Sequence, residues 1–365
     1  MPESGGARKE VGMQRRLGIG PLRLSWPFVQ AALAGYSDLP MRRLARRFGA
    51  PYALAEVVLD KLVLQRGKKQ RALLRPVPPD DHPVGAQLMG ARAEDFAPAA
   101  VALAAAGYDV IDMNFGCPVR KVLGRCRGGF LLSCPDTALA IVREVCAAVG
   151  GRCPVTVKMR RGMDDSAAGA RDFFRILDGA FAAGVAAVTV HARTVKQRYV
   201  GPSDWAFLAR VKGHAGERVI IGSGDLFSAE ACVRMFAETG VDGVSIARGC
   251  IGNPWIFRDL LTLLRGEGLP PPPSIVEQRD VIAWHYQAAC EVYGEAAACR
   301  GMRKFGIKYA ELHPCFAEVR AAFVAVRTAA DFGQVLQAWY DPQRPWPPVR
   351  RRSGPGGLIA AGARR

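Results

Sequence analysis

The sequence holds no Cys-x-x-Cys pair, and its five histidines, at 82, 191, 214, 285 and 313, do not combine with cysteines or carboxylates at zinc-ligand spacing. No structural metal is expected. Ten cysteines are present, yet none fall into the close-set frameworks of small secreted domains, which excludes a disulfide scaffold. No apolar run approaches the roughly 18 to 20 residues that span a bilayer, and residues 1–20 carry charges where a signal peptide needs its apolar segment. A cytoplasmic protein without a membrane partner is therefore expected. Acidic residues are scarce beside basic ones, 33 against 50, a formal net charge of +17. The segment from residue 341 onward holds six of those arginines and one aspartate, so most of the excess lies on the body of the chain. An acidic polymer is the partner such a balance suggests, the alternative being a basic surface kept for solubility.

What is there fits a globular enzyme. At 365 residues the chain has room for one barrel of about 250 residues and a second, smaller domain. Short β-branched and apolar runs alternate with segments of helical period, and the runs near 28–33, 54–58, 84–88, 110–113, 155–159, 188–191, 219–222 and 243–246 read as eight strands. Helical candidates between them include 39–48, 93–106, 137–149, 170–183 and 229–239. Eight such units predict an α/β fold, a (β/α)8 TIM barrel over 22–265, preceded by a basic segment at 1–21. An open doubly wound sheet is the alternative; it normally has fewer strands and a glycine fingerprint after the first. The stretch 266–273, rich in Gly and Pro, reads as a linker. A smaller all-helical domain over 274–340 follows, with Ser274 and Asp331 as N-cap candidates, and the Pro, Gly and Arg rich residues 341–365 are expected to lack fixed structure.

Chemistry in such a barrel sits where strands end. The third predicted strand ends near Gln87, the fourth at Asn114 and Cys117, the fifth at Lys158, the sixth at His191, the seventh at Ser223-Gly224-Asp225 and the eighth at Ala247-Arg248. Gly-rich turns after the last two would let backbone N–H groups approach a phosphate, with Arg248 adding charge-assisted bonds. A phosphorylated cofactor held there would lay its ring over Gln87, Lys158 and His191. Each residue also has an ordinary reading: a core histidine, a lysine reaching solvent, a small buried thiol, plain turn glycines. Their joint placement on successive strand ends favours a site.

Six segments carry a family resemblance: Ala31-Ala32-Leu33-Ala34-Gly35-Tyr36-Ser37-Asp38, Gln87-Leu88-Met89-Gly90, Asp112-Met113-Asn114-Phe115-Gly116-Cys117-Pro118, Val157-Lys158-Met159-Arg160, His191-Ala192-Arg193-Thr194 and Gly252-Asn253-Pro254-Trp255. In this order they resemble the tRNA-dihydrouridine synthases, from about residue 22 to 340. The resemblance implies a flavin mononucleotide (FMN) enzyme that uses NADPH or NADH, a nicotinamide dinucleotide, to reduce the 5,6 double bond of chosen uridines in tRNA. It implies Cys117 as proton donor, and a thiol suits that role because its reference pKa of roughly 8.5 keeps it mostly protonated at neutral pH. It further implies flavin contacts from Ala32, Leu33, Ala34, Gln87, Lys158, His191, Ser223, Gly224, Asp225, Ala247 and Arg248. Asn114 is implied to hold the substrate base or the flavin edge, and Arg160 and Arg193 to contact the RNA substrate or the flavin. On the helix near 300–312, Arg303, Lys304 and Lys308 are the expected phosphate contacts, with Phe305 and Tyr309 at the same spacing read either as RNA-facing or as core.

Several positions depart from the family's usual pattern. Ala32-Leu33 stands for Pro-Met, Ser223 for Asn and Ala247 for Gly, and Arg125-Cys126-Arg127 with Phe130 replaces small residues after Cys117. That bulkier loop could change which uridine fits or restrict access. The alternatives are another flavin barrel oxidoreductase acting on a small pyrimidine and a non-catalytic RNA-binding relative.

Overall fold

The computed structural model describes residues 16–352 and 354. It opens with an antiparallel hairpin, β1 (Leu17–Ile19) and β2 (Leu22–Leu24). The alternating units follow: β3 (Phe28–Gln30), α1 (Leu39–Arg47), β4 (Ala53–Leu54), β5 (Val58–Leu59), α2 (Asp60–Leu64), α3 (Lys68–Leu73), β6 (Val84–Met89), α4 (Ala93–Ala105), β7 (Val110–Phe115), α5 (Arg120–Leu123), α6 (Pro135–Val149), β8 (Val155–Arg160), α7 (Ala167–Ala182), β9 (Ala187–His191), α8 (Trp205–Ala215), β10 (Ile220–Ser223), α9 (Ala229–Thr239), β11 (Gly243–Ile246) and α10 (Trp255–Leu264). Strands β3 to β11 are parallel and close on themselves, with β11 beside β3 and β4 beside both β3 and β6. Since β4 and β5 share one position, the closed barrel has the eight strand positions that the sequence requires. The expected second strand is thus split in two.

Strands such as β6 are buried at all six residues because side chains fill the barrel on one side and meet helices on the other. The helices start and stop on local signals. Asp38 caps α1 by accepting from the Met41 N–H, and Ser166 and Ser228 do the same for α7 and α9. Gly150 and Gly240 end α6 and α9 in the left-handed region.

The hairpin was not foreseen. Leu17, Ile19 and Leu24 pack with Val29, Tyr52, Leu54, Val110, Ala187 and Ile221 and close the barrel's N-terminal end. Residues 17–21, assigned above to a basic segment, therefore belong to the barrel; residues 1–15 lie outside the described part.

Four further helices follow: α11 (Ile275–Tyr293), α12 (Glu295–Tyr309), α13 (Phe316–Ala325) and α14 (Ala329–Trp339). Ser274 caps α11 in a reciprocal box with Glu277, as expected. For α14 the cap is Thr328; Asp331 sits three residues in and accepts from the Thr328 N–H, because an acidic residue at that position completes the box. The helical unit shares one continuous core with the barrel's outer layer, running from Phe28 through Trp255 to Phe305 and Tyr340. Residues 341–352, expected to lack fixed structure, run back over this junction: Trp346 packs against His313, and the Arg350 N–H donates to Leu312 O at 2.9 Å. Residues 353 and 355–365 lie outside the described part. Among the described residues, no helix is long and apolar enough to cross a membrane.

Candidate active site

Strand register assembles the site. Gln87 on β6, Asp112 on β7 and Thr156 on β8 are direct neighbours in the ladder. Asp112 is 1% exposed and accepts from Thr156 Oγ1 at 2.6 Å and from Gln87 Nε2 at 2.7 Å. Asn114 Nδ2 then donates to Gln87 Oε1 at 2.7 Å. That fixes its amide, so Asn114 Oδ1 accepts from the N–H groups of Gly116 and Cys117, both at 3.1 Å. A buried polar chain thus runs from inside the barrel to the cysteine loop, and Asn114 acts here as the loop's anchor. Burial pushes the Asp112 carboxyl up, which its hydrogen bonds and Lys158 oppose.

Cys117 is partly exposed. Behind it, Gly128 has φ +58, and a Cβ there would lie 2.9 Å from the Cys117 Cβ, so only glycine lets the loop fold under the thiol. Cys126 adopts φ +55, and Arg127 is buried, turned into a groove with Asp60, Lys61, Arg92, Asp95 and Arg125.

The other strand ends gather positive charge. Lys158 stands beside Asn114, and His191 lies between Arg160 and Ser223 in register. Burial, then Arg160, pushes the Lys158 ammonium down to about 8. Burial, Arg160, Lys158, Arg193 and Arg248 together push His191 well below the usual histidine range. Its ring is neutral, and Arg193 Nη1 lies 3.4 Å from His191 Nε2. An arginine can only donate, so the ring proton belongs on Nδ1.

Arg160 and Arg193, expected as substrate contacts, are both 2% exposed. Arg160 donates to the carbonyls of Gly116, Thr194 and Arg198. Arg193 Nη2 donates to both oxygens of Asp225, at 2.7 and 2.6 Å, and Nε and Nη2 together reach Gly201 O. Both hold the loops around the site. Arg248 has its nearest carboxylate, Asp225, at 3.9 Å, and its guanidinium lies 4.4 Å from the ring centre of Tyr199. Gly224 has φ +123, and a Cβ there would collide with Ser203 Oγ. Ser223 Oγ donates to Ser245 O inside the barrel, while Ala32, Leu33, Ala34 and Ala247, partly or fully exposed, follow the ends of β3 and β11.

On α12 the cations are engaged within the fold. Arg303 Nη2 donates to Val324 O at 3.0 Å, Lys304 Nζ to Gly35 O, and Lys308 Nζ to Glu311 Oε1 at 3.1 Å. Phe305 and Tyr309 are core residues, 2% and 1% exposed. Arg42, Arg43 and Arg46 likewise pair with Asp80 and Asp81. Sequence reasoning missed Tyr199, 42% exposed over Arg248, and Thr156 with its partner Asp112. The signal for Asp112 was present: a carboxylate in an otherwise apolar strand, two residues before Asn114 and on the same face.

Comparison with known proteins gives a consistent picture. The family model described as dihydrouridine synthase matches residues 29–342. A probable tRNA-dihydrouridine synthase of Mycobacterium tuberculosis is 35% identical over 333 residues, covering 88% of this chain and 84% of that protein. One from Rhodobacter capsulatus is 36% identical over 295 residues, covering 81% and 89%. The tRNA-dihydrouridine synthase B of Xanthomonas campestris is 34% identical over 304 residues, covering 83% and 89%. Among solved structures, histamine dehydrogenase from Rhizobium superposes with a TM-score of 0.55 at 15% identity, over 76% of this chain and 51% of that one. The 6-hydroxypseudooxynicotine amine oxidase of Pseudomonas geniculata gives 0.56 at 13%, over 78% and 55%. This chain spans about half of each of those larger proteins, and the likeness is one of barrel fold.

Proposed function

The chain belongs to the dihydrouridine synthase family, and from that premise we propose that it reduces the 5,6 double bond of uridines in tRNA, with FMN as cofactor and NADPH or NADH as electron donor. One observation carries the chemistry: a partly exposed thiol, fixed by Asn114, faces a cluster of cations that have too few carboxylates of their own. Such a cluster fits an anionic cofactor. Lys158, His191 and Arg248 are all pushed below their ordinary pKa values by burial; cationic neighbours add to this at Lys158 and His191, while Tyr199 opposes it at Arg248. A phosphate and an electron-rich ring would relieve that imbalance. The backbone approach at Gly224, where a side chain would collide, suits the phosphate end, with Arg248 beside it. Gln87, Lys158 and His191 would hold the ring, and the backbone at Ala32, Leu33 and Ala34 its edge.

When bound, the flavin supplies the hydride. The rest falls to this chain. Cys117 gives its proton to the second carbon of the uracil double bond, and solvent returns a proton to the thiolate left behind. Neutral His191 donates from Nδ1 without adding charge. Arg160 and Arg193 keep the loops closed round the base. Exposed cations, Arg120 and Lys121 on α5, Arg125 just after it and Arg198, are the readiest contacts for tRNA phosphates, since the α12 cations would first have to leave their partners. A small-pyrimidine reductase accounts for the barrel but not for a family match that runs through the helical unit.

The test is direct. tRNA from cells lacking this protein should miss dihydrouridine at a defined position, and purified protein with FMN and NADPH or NADH should restore it. Turnover of free uracil with unmodified tRNA left untouched would overturn the proposal.

A further inference from the structure

We propose that Arg352, near the end of the described chain, is a positioning residue for the phosphate end of the flavin site. The proposal rests on the reading of Arg248 as the phosphate arm. The turn that carries Arg248 runs from Ala247 to Asn253 between β11 and α10; within it Arg248 O accepts from the Ile251 N–H at 3.3 Å, which leaves a second lone pair for a side-chain donor. Arg352 Nη1 donates to two of them, Arg248 O and Ile251 O, both at 3.1 Å. Its Nη2 lies 3.1 Å from Glu311 Oε2, the same carboxylate that takes Lys308. On another side, Gly252 has φ +69, and a Cβ there would collide with the backbone of Lys308. The turn is therefore held by α12 and by one arginine that arrives from 101 to 104 residues further along the chain.

The approach of that arginine is built in detail. Trp346 packs on His313 with ring centres 4.9 Å apart. Arg351 Nη1 donates to Asp259 Oδ2 at 3.2 Å, and its Nη2 to Pro270 O. Arg352 itself is 7% exposed. Its guanidinium and that of Arg248 lie 5.3 and 5.1 Å from the ring centre of Phe227, which both flank. A mostly buried cation fastened to backbone carbonyls has a structural purpose, since charge alone would be cheaper at the surface. Here the carbonyl of Arg248 is one of the two it holds. Releasing it would let the backbone under the phosphate arm move by the fractions of an ångström that a phosphate contact cannot absorb.

The experiment compares FMN with riboflavin, which lacks the phosphate, by titrating flavin-free protein. Arg352→Ala should weaken FMN binding about tenfold, the loss expected for charge-assisted bonds to the turn, while riboflavin binding stays within about twofold. Arg352→Lys, which keeps the charge but loses the fork, should fall between. If Arg352→Ala does not fold, Arg352→Gln, which keeps the side-chain stem but is two atoms shorter and uncharged, gives the same reading. FMN affinity equal to wild type, or equal losses for FMN and riboflavin, would overturn the proposal. Arg248→Ala serves as the reference: if it leaves the FMN preference intact, the reading of the phosphate arm fails instead.

Discussion

The two sides of the site are built by different means. From β6 to β9 the functional side chains stand on neighbouring strands, and ladder register alone sets Gln87 beside Asp112 and Asn114 beside Lys158. From β11 round to β3 the strands end early, and the turns beyond them are held by groups from the helical unit and the tail: Lys304 on Gly35, the Lys308 backbone against Gly252, Arg352 on Arg248 and Ile251. One side is rigid by virtue of the sheet. The other is rigid only while the helical unit is docked, so changes far away in sequence should reach the cofactor through it.

The strand-built side should give the largest effect. Cys117→Ala removes the proton donor and should lower dihydrouridine formation by about 10² to 10⁴ while flavin content and its reduction by the nicotinamide persist. Near wild-type turnover would shift the acid elsewhere, with Cys126 the first residue to test. Asn114→Ala should cost less, about 10- to 100-fold, because the thiol remains but its loop loses the two bonds that Asn114 Oδ1 accepts. Its signature is a fall in kcat with flavin affinity unchanged; loss of flavin would mean that Asn114 holds the ring instead.

This contrast also marks what a sequence can disclose. The strand ends Gln87, Asn114, Lys158 and His191 were legible because each lies at or near the end of a short apolar, β-branched run, and Cys117 from the motif around it. The splitting of the second strand into β4 and β5, the N-terminal hairpin plug and the helices α2, α3, α8 and α10 were not, since short or weakly periodic segments take their form from tertiary packing. Lys304 and Lys308 looked like RNA contacts because spacing shows which residues share a face, not what covers that face. Arg352 was hidden for the same reason: a stretch rich in Pro, Gly and Arg reads as mobile until something exists for it to dock on.

Charge on the strand-built side makes a third prediction, smaller and set by pH. Lys158 is held at about 8 against an ordinary 10.5, so between these values the unfolded chain binds more protons than the folded one. Stability of the flavin-free protein should therefore rise with pH across that window, and the cost of burying the ammonium is fully present below it. In urea unfolding, Lys158→Met should be more stable than wild type at pH 7, with the difference vanishing above about pH 10.5. The same variant should bind FMN more weakly. Lower stability of Lys158→Met at pH 7 would show that the ammonium is already neutralised by a partner in the fold.

The smallest effect tests which cations meet the RNA. Removing one cation from a phosphate should lower the log-log salt slope of tRNA binding by roughly 0.7 to 0.9. Arg120 and Lys121 on α5 are exposed and close in sequence to Cys117, so an Arg120→Ala, Lys121→Ala double variant should lower the slope by about 1.5 and keep its flavin. Lys304 and Lys308 are tied to Gly35 and Glu311. Their double alanine variant should leave the slope nearly unchanged and instead weaken FMN binding, because the turn at Gly35 loses the Lys304 bond. The opposite pairing of results, with the slope reduced by the α12 variant and flavin released by the α5 variant, would mean that Lys304 and Lys308 leave their partners when tRNA arrives. The helical unit would then report the bound RNA to the cofactor turns by letting go of them.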